Sequence, residues 1–379
     1  IANDLKRLLA ASPRPIADTP LDTRLTDVQR LAIRRALEGP CTLITGGPGT
    51  GKTFVISHLL EAAKGGRIVA CAPTGKAASR IAEQAPHVDV GTLHTRIADG
   101  SLRRADLIVV DEASMIDAAV WHRLLSVVPE GTPLVLVGDP CQLPPVEVGT
   151  LFADMCDFAE NHLPEIHIEL TTSHRSDKVD LLELAAAVRA GTLPDFLPIA
   201  PLADYAPRLD MFPHPGVKGP SRAVVLSPFI KGPYGVDALS EAIYAELSAR
   251  CEPGNFLPVP IIATQSDRQT GIQNGESGLL FQRNGRVYAR FGEREIAEPL
   301  LPHYARAYAL SIHKSQGSEY EVVDIIMPEG SRRFGRELLY TAITRAQREV
   351  RIFGDREEVE ATIATTNRRA SRLRDRLCL

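Results

Sequence analysis

The chain has 379 residues, 44% hydrophobic and 24% charged, an ordinary globular composition with room for two or three domains. Its net charge of −4 carries no bulk signal for nucleic acid, so any such contact must be a local patch. Six cysteines (Cys41, Cys71, Cys141, Cys156, Cys251, Cys378) without a C-x-x-C pair speak against a zinc site or disulfide framework and for reduced thiols in a cytoplasmic protein, and no apolar run approaches the roughly 18 residues of a membrane span.

The N-terminus, Ile1-Ala2-Asn3-Asp4-Leu5-Lys6, lacks the shape of a signal peptide, and a first residue other than Met fits a processed chain or a piece of a longer one. Residues 1–20 read as a short helix and a linker marked by Pro13, Pro15 and Pro20. Leu25-Thr26-Asp27-Val28-Gln29-Arg30 opens a helix to about Leu37, with Thr26 or Asp27 as its N-cap. Gln29, one turn in, offers one amide donor and one acceptor. That suits the edge of an adenine, and equally a solvated helix position.

Leu43–Thr45 then leads as a strand into Gly46-Gly47-Pro48-Gly49-Thr50-Gly51-Lys52-Thr53, and a helical pattern follows to Ala63. This is G-x-x-x-x-G-K-[ST] between a strand and a helix, the phosphate-binding P-loop. The glycines let successive N–H groups point inward, and the helix N-terminus adds its dipole, so both favour an anion. Lys52 would reach the β- and γ-phosphates, and Thr53 would offer its hydroxyl to Mg²⁺.

Three further apolar strands end in polar residues. Ile68–Ala72 runs into Pro73-Thr74-Gly75-Lys76, Leu107–Val110 into Asp111-Glu112-Ala113-Ser114, and Leu134–Val137 into Gly138-Asp139-Pro140-Cys141-Gln142. Strands alternating with helices predict a parallel, doubly wound sheet, with ligands beyond the carboxyl ends of its strands. Asp111 would hold Mg²⁺ and Glu112 would orient and deprotonate the attacking water, although an adjacent Asp-Glu pair also suits a plain helix N-terminus. Gln142 sits where it could sense the γ-phosphate, or serve as a polar loop residue. Thr92-Leu93-His94, after Gly91, says little alone.

In the second half, Ile166–Leu170 is a strand followed by Thr171-Thr172-Ser173-His174-Arg175, and residues 195–221 read as a Pro-rich surface connection. Ala223–Leu226 is a strand, with a helix near 236–249. Residues 253–300 turn Gly-rich, with short β-like pieces and turn signals at Asn274-Gly275 and Asn284-Gly285, which predicts a small β-barrel or a long hairpin excursion. The α/β pattern then resumes with Tyr308–Ser311, His313-Lys314-Ser315-Gln316-Gly317-Ser318-Glu319, the strand Val322–Ile326, a helix Arg336–Ala346 and a last strand Val350–Phe353. The tail, 355–378, is Arg-rich and reads as a solvated helix or a partner or nucleic-acid contact. With one P-loop and two sheet domains, an arginine of the second, Arg345 or Arg175, is a candidate finger that completes the site when a cleft closes.

Together GGPGTGKT (46–53), APTGKAA (72–78), TLH (92–94), VVDEASMID (109–117), GDPCQLPPVEVG (138–149), HR (174–175), NGESG (274–278), HKSQGSEY (313–320) and ELLYTAITRA (337–346) resemble the ordered motif set of a superfamily 1 helicase of the 5′-to-3′ branch. Within that branch the chain is most similar to RecD, the alpha subunit of exodeoxyribonuclease V, as is its closing TNRRASRLRDRL (366–377). The resemblance implies an α/β fold of two RecA-like P-loop NTPase-type parallel-sheet domains with the small β-barrel inserted in the second. The expected divisions are 1–20 as helix and linker, 21–165 as the first domain, 166–252 with 301–360 as the second, 253–300 as the barrel and 361–379 as the tail.

It implies roles as well. ATP would be held by Gln29 at adenine, by Gly46 through Thr53 at the phosphates, and by Gly317 and Glu319. Lys52, Glu112, Gln142, Arg175 and Arg345 would be catalytic, with Thr53 and Asp111 on Mg²⁺. Pro73, Thr74, Lys76, Thr92, His94, His313 and Ser315 would line a single-stranded DNA track that grips backbone. RecB- and RecC-like subunits are the implied partners, in double-strand-break repair and recombination. About 20 residues precede the Gln29 motif, where RecD chains usually carry a partner-facing domain, and only 16 separate His94 from Asp111, which leaves little room for a strand-separating hairpin. The expectation is an ATP-dependent 5′-to-3′ motor. Rival readings are a stand-alone helicase of the same branch, the motor part of a conjugative relaxase, and a nucleotide-gated DNA-binding module that does not turn over.

Overall fold

The computed structural model describes residues 1–14, 21–145, 147, 149–171, 179–199, 222–366 and 372–378. The chain divides into two units, Ile1–Ser176 with Arg368–Leu379, and Asp177–Asn367.

The first unit is built on β1 (Cys41–Gly46), β2 (Ile68–Ala72), β3 (Asp89–Thr92), β4 (Leu107–Val110), β5 (Leu134–Gly138) and β6 (His167–Leu170). They form one sheet in the order β3-β2-β4-β5-β1-β6, and every pairing is parallel. Successive residues of a strand face opposite sides, so each strand feeds two cores. Leu43, Cys71, Ile108, Val110 and Leu136 pack on one face with Trp121. Ile44, Ala70, Val109, Val135 and Val137 pack on the other. The second face is covered by α2 (Asp27–Glu38), α3 (Lys52–Ala62) and α4 (Gly75–Gln84). The first is covered by α1 (Ala2–Ala10), α5 (Leu93–Ala98), α6 (Ala118–Val127) and α7 (Leu151–His162).

The second unit opens with α8 (Val179–Ala190), β7 (Ala223–Ser227) and α9 (Val236–Arg250). After an excursion come β13 (Ala309–Ser311), α10 (Ile312–Ser315), β14 (Tyr320–Met327), α11 (Arg336–Ile343), β15 (Ala346–Gly354) and α12 (Arg356–Ala364). Its sheet runs β13-β7-β14-β15, again all parallel. The excursion is β8 (Val259–Ala263), β9 (Ser277–Arg283), β10 (Arg286–Phe291), β11 (Arg294–Ala297) and β12 (Tyr304–Arg306), antiparallel throughout in the order β11-β10-β9-β8-β12. Asn284 and Gly285, with φ of 52° and 75°, make the tight turn that their dipeptide predicts.

Three expectations need correction. The inserted sheet has two edges, β11 and β12, so it is an open antiparallel sheet rather than a closed barrel, and it extends to Arg306. The strand His167–Leu170 belongs to the first sheet, beside β1, and not to the second domain. The tail is not a solvated appendage: α13 (Leu373–Cys378) returns to the first unit, where Leu373 is buried in the same core as Leu5, Leu8 and Trp121. Replacing Leu373 by Ala should therefore cost the first unit about 2 kcal/mol. Trp121 is the chain's single tryptophan, so its emission reads this unit directly during chemical denaturation. An unmoved midpoint would mean that the tail contributes nothing to this core.

Candidate nucleotide site and nucleic-acid track

The P-loop follows β1, whose six residues are all buried. Gly49 and Gly51 take φ of 76° and 85°, where side chains with a Cβ are strained, and Gly51 is the N-cap of α3. At Gly46 a Cβ would come within 2.9 Å of the Leu170 carbonyl oxygen. The loop is thus wedged against the neighbouring strand and closed by its own side chains. Thr50 Oγ1 donates to the Gly47 carbonyl at 2.9 Å, and Lys52 Nζ donates to the carbonyls of Gly46 at 2.7 Å and Gly47 at 2.9 Å.

Asp111 stands at the tip of β4, buried. Its carboxyl lies well above the usual range because burial disfavours its charge and Glu112 adds a like charge. The backbone N–H of Glu112 (2.8 Å to Oδ1), Lys52 and Arg80 pull the other way. Arg80, on α4, was not singled out by any motif; it follows the APTGKAA stretch by two residues, and only the fold shows its charge acting on Asp111. Glu112 has φ 52° and ψ 40°, left-handed backbone that a residue with a side chain rarely adopts. It is one of two such non-glycine residues among those described, the other being Asn284 in its hairpin turn. Gln142, after β5, is also buried; its Nε2 donates weakly to Asp139 at 3.4 Å, and its Oε1 has no hydrogen-bond partner among the described residues. The hydroxyl of Ser114, two residues beyond Glu112, is a second buried polar atom with none. Orphaned acceptors of this kind are rare in a settled interior and suit a water or ligand.

Gln29 is buried and serves in a capping box: Thr26 Oγ1 accepts from its N–H at 3.3 Å, and its Oε1 accepts from the Thr26 N–H at 3.0 Å. The solvated reading is therefore excluded, and the side chain's carbonyl oxygen is already in use.

The track residues of the first unit sit at the carboxyl edge of the same sheet. Thr74 caps α4, Thr92 caps α5 and also bonds Thr95 Oγ1 at 2.8 Å, Pro73 and Lys76 are half-buried, and His94 is exposed. In the second unit His313 is half-buried on α10, whereas Ser315 is fully buried and donates to the Ile312 carbonyl at 2.7 Å. Ser315 is thus not presented as a track residue; its hydroxyl closes the turn. Glu319 accepts from Gln347 at 2.9 Å, and Gly317 has φ 71°. Arg345 is buried and donates to the carbonyls of Thr341 (3.2 Å) and Ser318 (3.3 Å) and to the Thr344 hydroxyl (3.0 Å), with no ion pair among the described residues. Arg175 lies outside the described residues. Residues 95–110 hold the rest of α5, a 3-10 turn (Ser101–Arg104) and β4, with no β-hairpin.

Two family models match, an AAA domain over residues 24–203 and a UvrD-like helicase C-terminal domain over residues 306–353. The chain is 34% identical to the RecBCD enzyme subunit RecD of Mycobacterium tuberculosis over 93% of its own length and 73% of the relative's. With the same subunit of Mycolicibacterium smegmatis it shares 33% over its full length and 80% of that protein. The chain belongs to the RecD family. It is a DNA helicase of the RecD type, and the ATP-dependent RecD2 DNA helicase of Deinococcus radiodurans is 32% identical over 80% of this chain and 46% of its own. In fold it is similar to the Pif1 helicase of Candida albicans (TM-score 0.56, 17% identity, 89% of this chain and 96% of that one). The same holds for the Pif1 helicase from Bacteroides solved with ADP-AlF3 and single-stranded DNA (TM-score 0.56, 17% identity, 90% and 94%). Among the described residues no helix is long and apolar enough to cross a membrane.

The left-handed Glu112 gives a test independent of activity. Exchanging Glu112 for Gly removes the backbone strain and should raise the stability of the first unit by up to about 1 kcal/mol. The Trp121 denaturation curve reads this, and a lowered midpoint would refute the strain.

Proposed function

We propose that this RecD-family chain uses ATP and Mg²⁺ to move 5′ to 3′ on single-stranded DNA. The observation that carries the reading is the buried Asp111 at the tip of β4, next to a half-buried Glu112 and within the field of Lys52 on the P-loop, with a buried Gln142 after the adjacent strand β5 whose Oε1 has no donor among the described residues. A hydrolysing site needs those parts: a phosphate cradle, a metal-side carboxylate, a base, and an acceptor that orients water.

The donor set fits Mg²⁺. Asp111 is a buried carboxylate whose charge lacks an ion pair, and Thr53, at the start of α3, supplies a hydroxyl. Magnesium takes one or two protein oxygens and completes its shell with phosphates and waters. Bound there, the ion would neutralise charge developing on the phosphates. Lys52 would leave the Gly46 and Gly47 carbonyls for the phosphates, exchanging two neutral acceptors for anionic ones. Glu112 takes the proton of the attacking water, and Gln142 Oε1 accepts its second hydrogen bond. Gln29, buried at the start of α2, is the residue for the adenine edge. Arg345, a buried guanidinium held among the described residues by carbonyl and hydroxyl oxygens, is the finger for the γ-phosphate, and Arg175 is the second candidate for that phosphate. Glu319 and Gly317 contact the nucleotide.

Pro73, Thr74, Lys76, Thr92, His94 and His313 form the track. A threonine oxygen that caps a helix by accepting an N–H still donates its own proton to a phosphate, so capping and grip coexist. The proposed setting is the cytoplasm, with RecB- and RecC-like subunits, in double-strand-break processing. Co-purification from native extract decides the partners, and recovery of no other subunit favours a stand-alone helicase.

Replacing Lys52 by Ala should abolish nucleotide binding and turnover, while Glu112→Gln should bind ATP and not turn it over. Loss of Arg345 to Ala should slow hydrolysis by about a thousandfold or more with affinity retained. Streptavidin displacement from each end of a single strand, with ATPase measured alongside, reads direction. Absence of DNA-stimulated ATPase in the unaltered protein would sink the motor reading.

A further inference from the structure

The carboxyl edge of the second parallel sheet carries, beside the motif residue His313, a cluster of three side chains with no role so far, Phe229, Arg333 and Phe334. β7 ends at Ser227 and the chain turns through Pro228 and Phe229; β14 ends at Met327 and turns through a 3-10 segment, Ser331–Phe334. Phe229 and Phe334 meet edge to face with centroids 5.7 Å apart, and Phe334 meets His313 in the same way at 6.4 Å. The guanidinium of Arg333 lies over both phenylalanines, 4.7 Å from one ring and 4.9 Å from the other. Arg333 is exposed and makes no ion pair among the described residues, and Ile230 beside Phe229 is 53% exposed.

The segment that presents this cluster is fixed from behind. Gly330 and Gly335, at φ 88° and 69°, bracket it, and the buried Ser331 hydroxyl donates to the Pro328 carbonyl at 2.6 Å. Glu358 of α12, itself buried, accepts from the Arg332 backbone N–H at 2.6 Å and from its guanidinium at 3.0 and 2.8 Å. Arg332 is therefore committed to the scaffold, while its neighbour Arg333 is left to stack.

We propose that Phe229, Arg333 and Phe334, with His313, form a stacking platform for bases of the single strand. The proposal rests on the motor reading and extends it from a track that grips phosphate to one that also holds bases. Three observations choose this occupant. An exposed cation without a carboxylate is complementary to a polyanion. Partly exposed rings bearing a guanidinium are the platform on which bases of any sequence stack. Phe229 is also one wall of a groove of about 610 Å³ that includes Tyr234, Lys231, Glu329 and Asp355. Its two carboxylates would repel a phosphate, and its cation Lys231 is already ion-paired to Asp237, so the groove admits a base more readily than backbone.

The test compares fluorescence anisotropy on a labelled 20-nucleotide dT strand and on a strand of equal length whose central residues are abasic. The unaltered protein should bind the dT strand more tightly. Phe334→Ala should weaken binding to dT by about tenfold and leave the abasic strand unaffected, whereas Arg333→Ala, which also removes a cation, should weaken binding to dT more than to the abasic strand. Phe334→Trp should restore or exceed the original affinity, which a purely structural role for the ring would not allow, and Phe334→Leu should behave as Ala. Loss of affinity that is equal on both strands, or no loss at all, overturns the platform while leaving the motor reading intact. Failure of the unaltered protein to bind either strand overturns both.

Discussion

A charge taken out of water without a partner is among the costliest features a fold can hold, and this chain holds two of opposite sign. Asp111 is buried at the tip of β4 with a backbone N–H on its carboxylate and no ion pair among the described residues. Arg345 is buried after α11 with carbonyl and hydroxyl acceptors only. Two other buried carboxylates are ion-paired, Asp324 with Arg351 and Glu358 with Arg332, and a third, Asp139, accepts from the Cys141 N–H and the Gln142 amide. A fold that satisfies its structural charges and leaves these two short of a counter-ion is stabilised by whatever supplies one.

The strained backbone at Glu112 belongs to the same economy of design. A left-handed residue at a strand tip throws the side chain and the following 3-10 turn away from the direction the strand would have taken. The strain is tolerable because β4 is held between β2 and β5 and cannot relax by sliding. Rigidity of the parallel sheet is thus what holds Glu112, proposed as the base, in one orientation before any ligand arrives.

Much of this was legible in the sequence, and the exceptions have physical causes. The buried strands of the first sheet, apolar on both faces, announce themselves as short runs, so β1, β2, β4 and β5 are read nearly to the residue. β3, Asp-Val-Gly-Thr, is an edge strand with one apolar residue and a glycine, and it leaves no such run. β6 reads correctly as a strand, but chain order does not tell which sheet a strand joins; His167 is fixed in the first by its bond to Thr45 Oγ1 at 2.8 Å and by pairing with β1. The open edges of the inserted sheet depend on register, which turn dipeptides set only locally. Leu373 and Leu377 sit in a tail dominated by arginine, so their burial is invisible to composition and appears only once α1 and α7 offer a surface.

The site was legible wherever chemistry demands a particular residue type at the end of a strand, and ambiguous wherever a residue can satisfy two demands at once. Thr74 and Thr92 are the clearest cases. A threonine before a helix is explained fully by capping, and the structure confirms the caps. Yet a helix N-terminus at the ligand edge of a parallel sheet is also where a phosphate is best received; the Thr74 hydroxyl keeps a proton to give, and Thr92 keeps one where Thr95 is the donor of their shared bond. The bland and the functional readings therefore do not compete at these positions. They compete at Ser315, where the hydroxyl has already given its proton to the Ile312 carbonyl inside the fold. What separates a track residue from a structural one is thus the proton left over after local needs are met, a quantity that exists only in three dimensions.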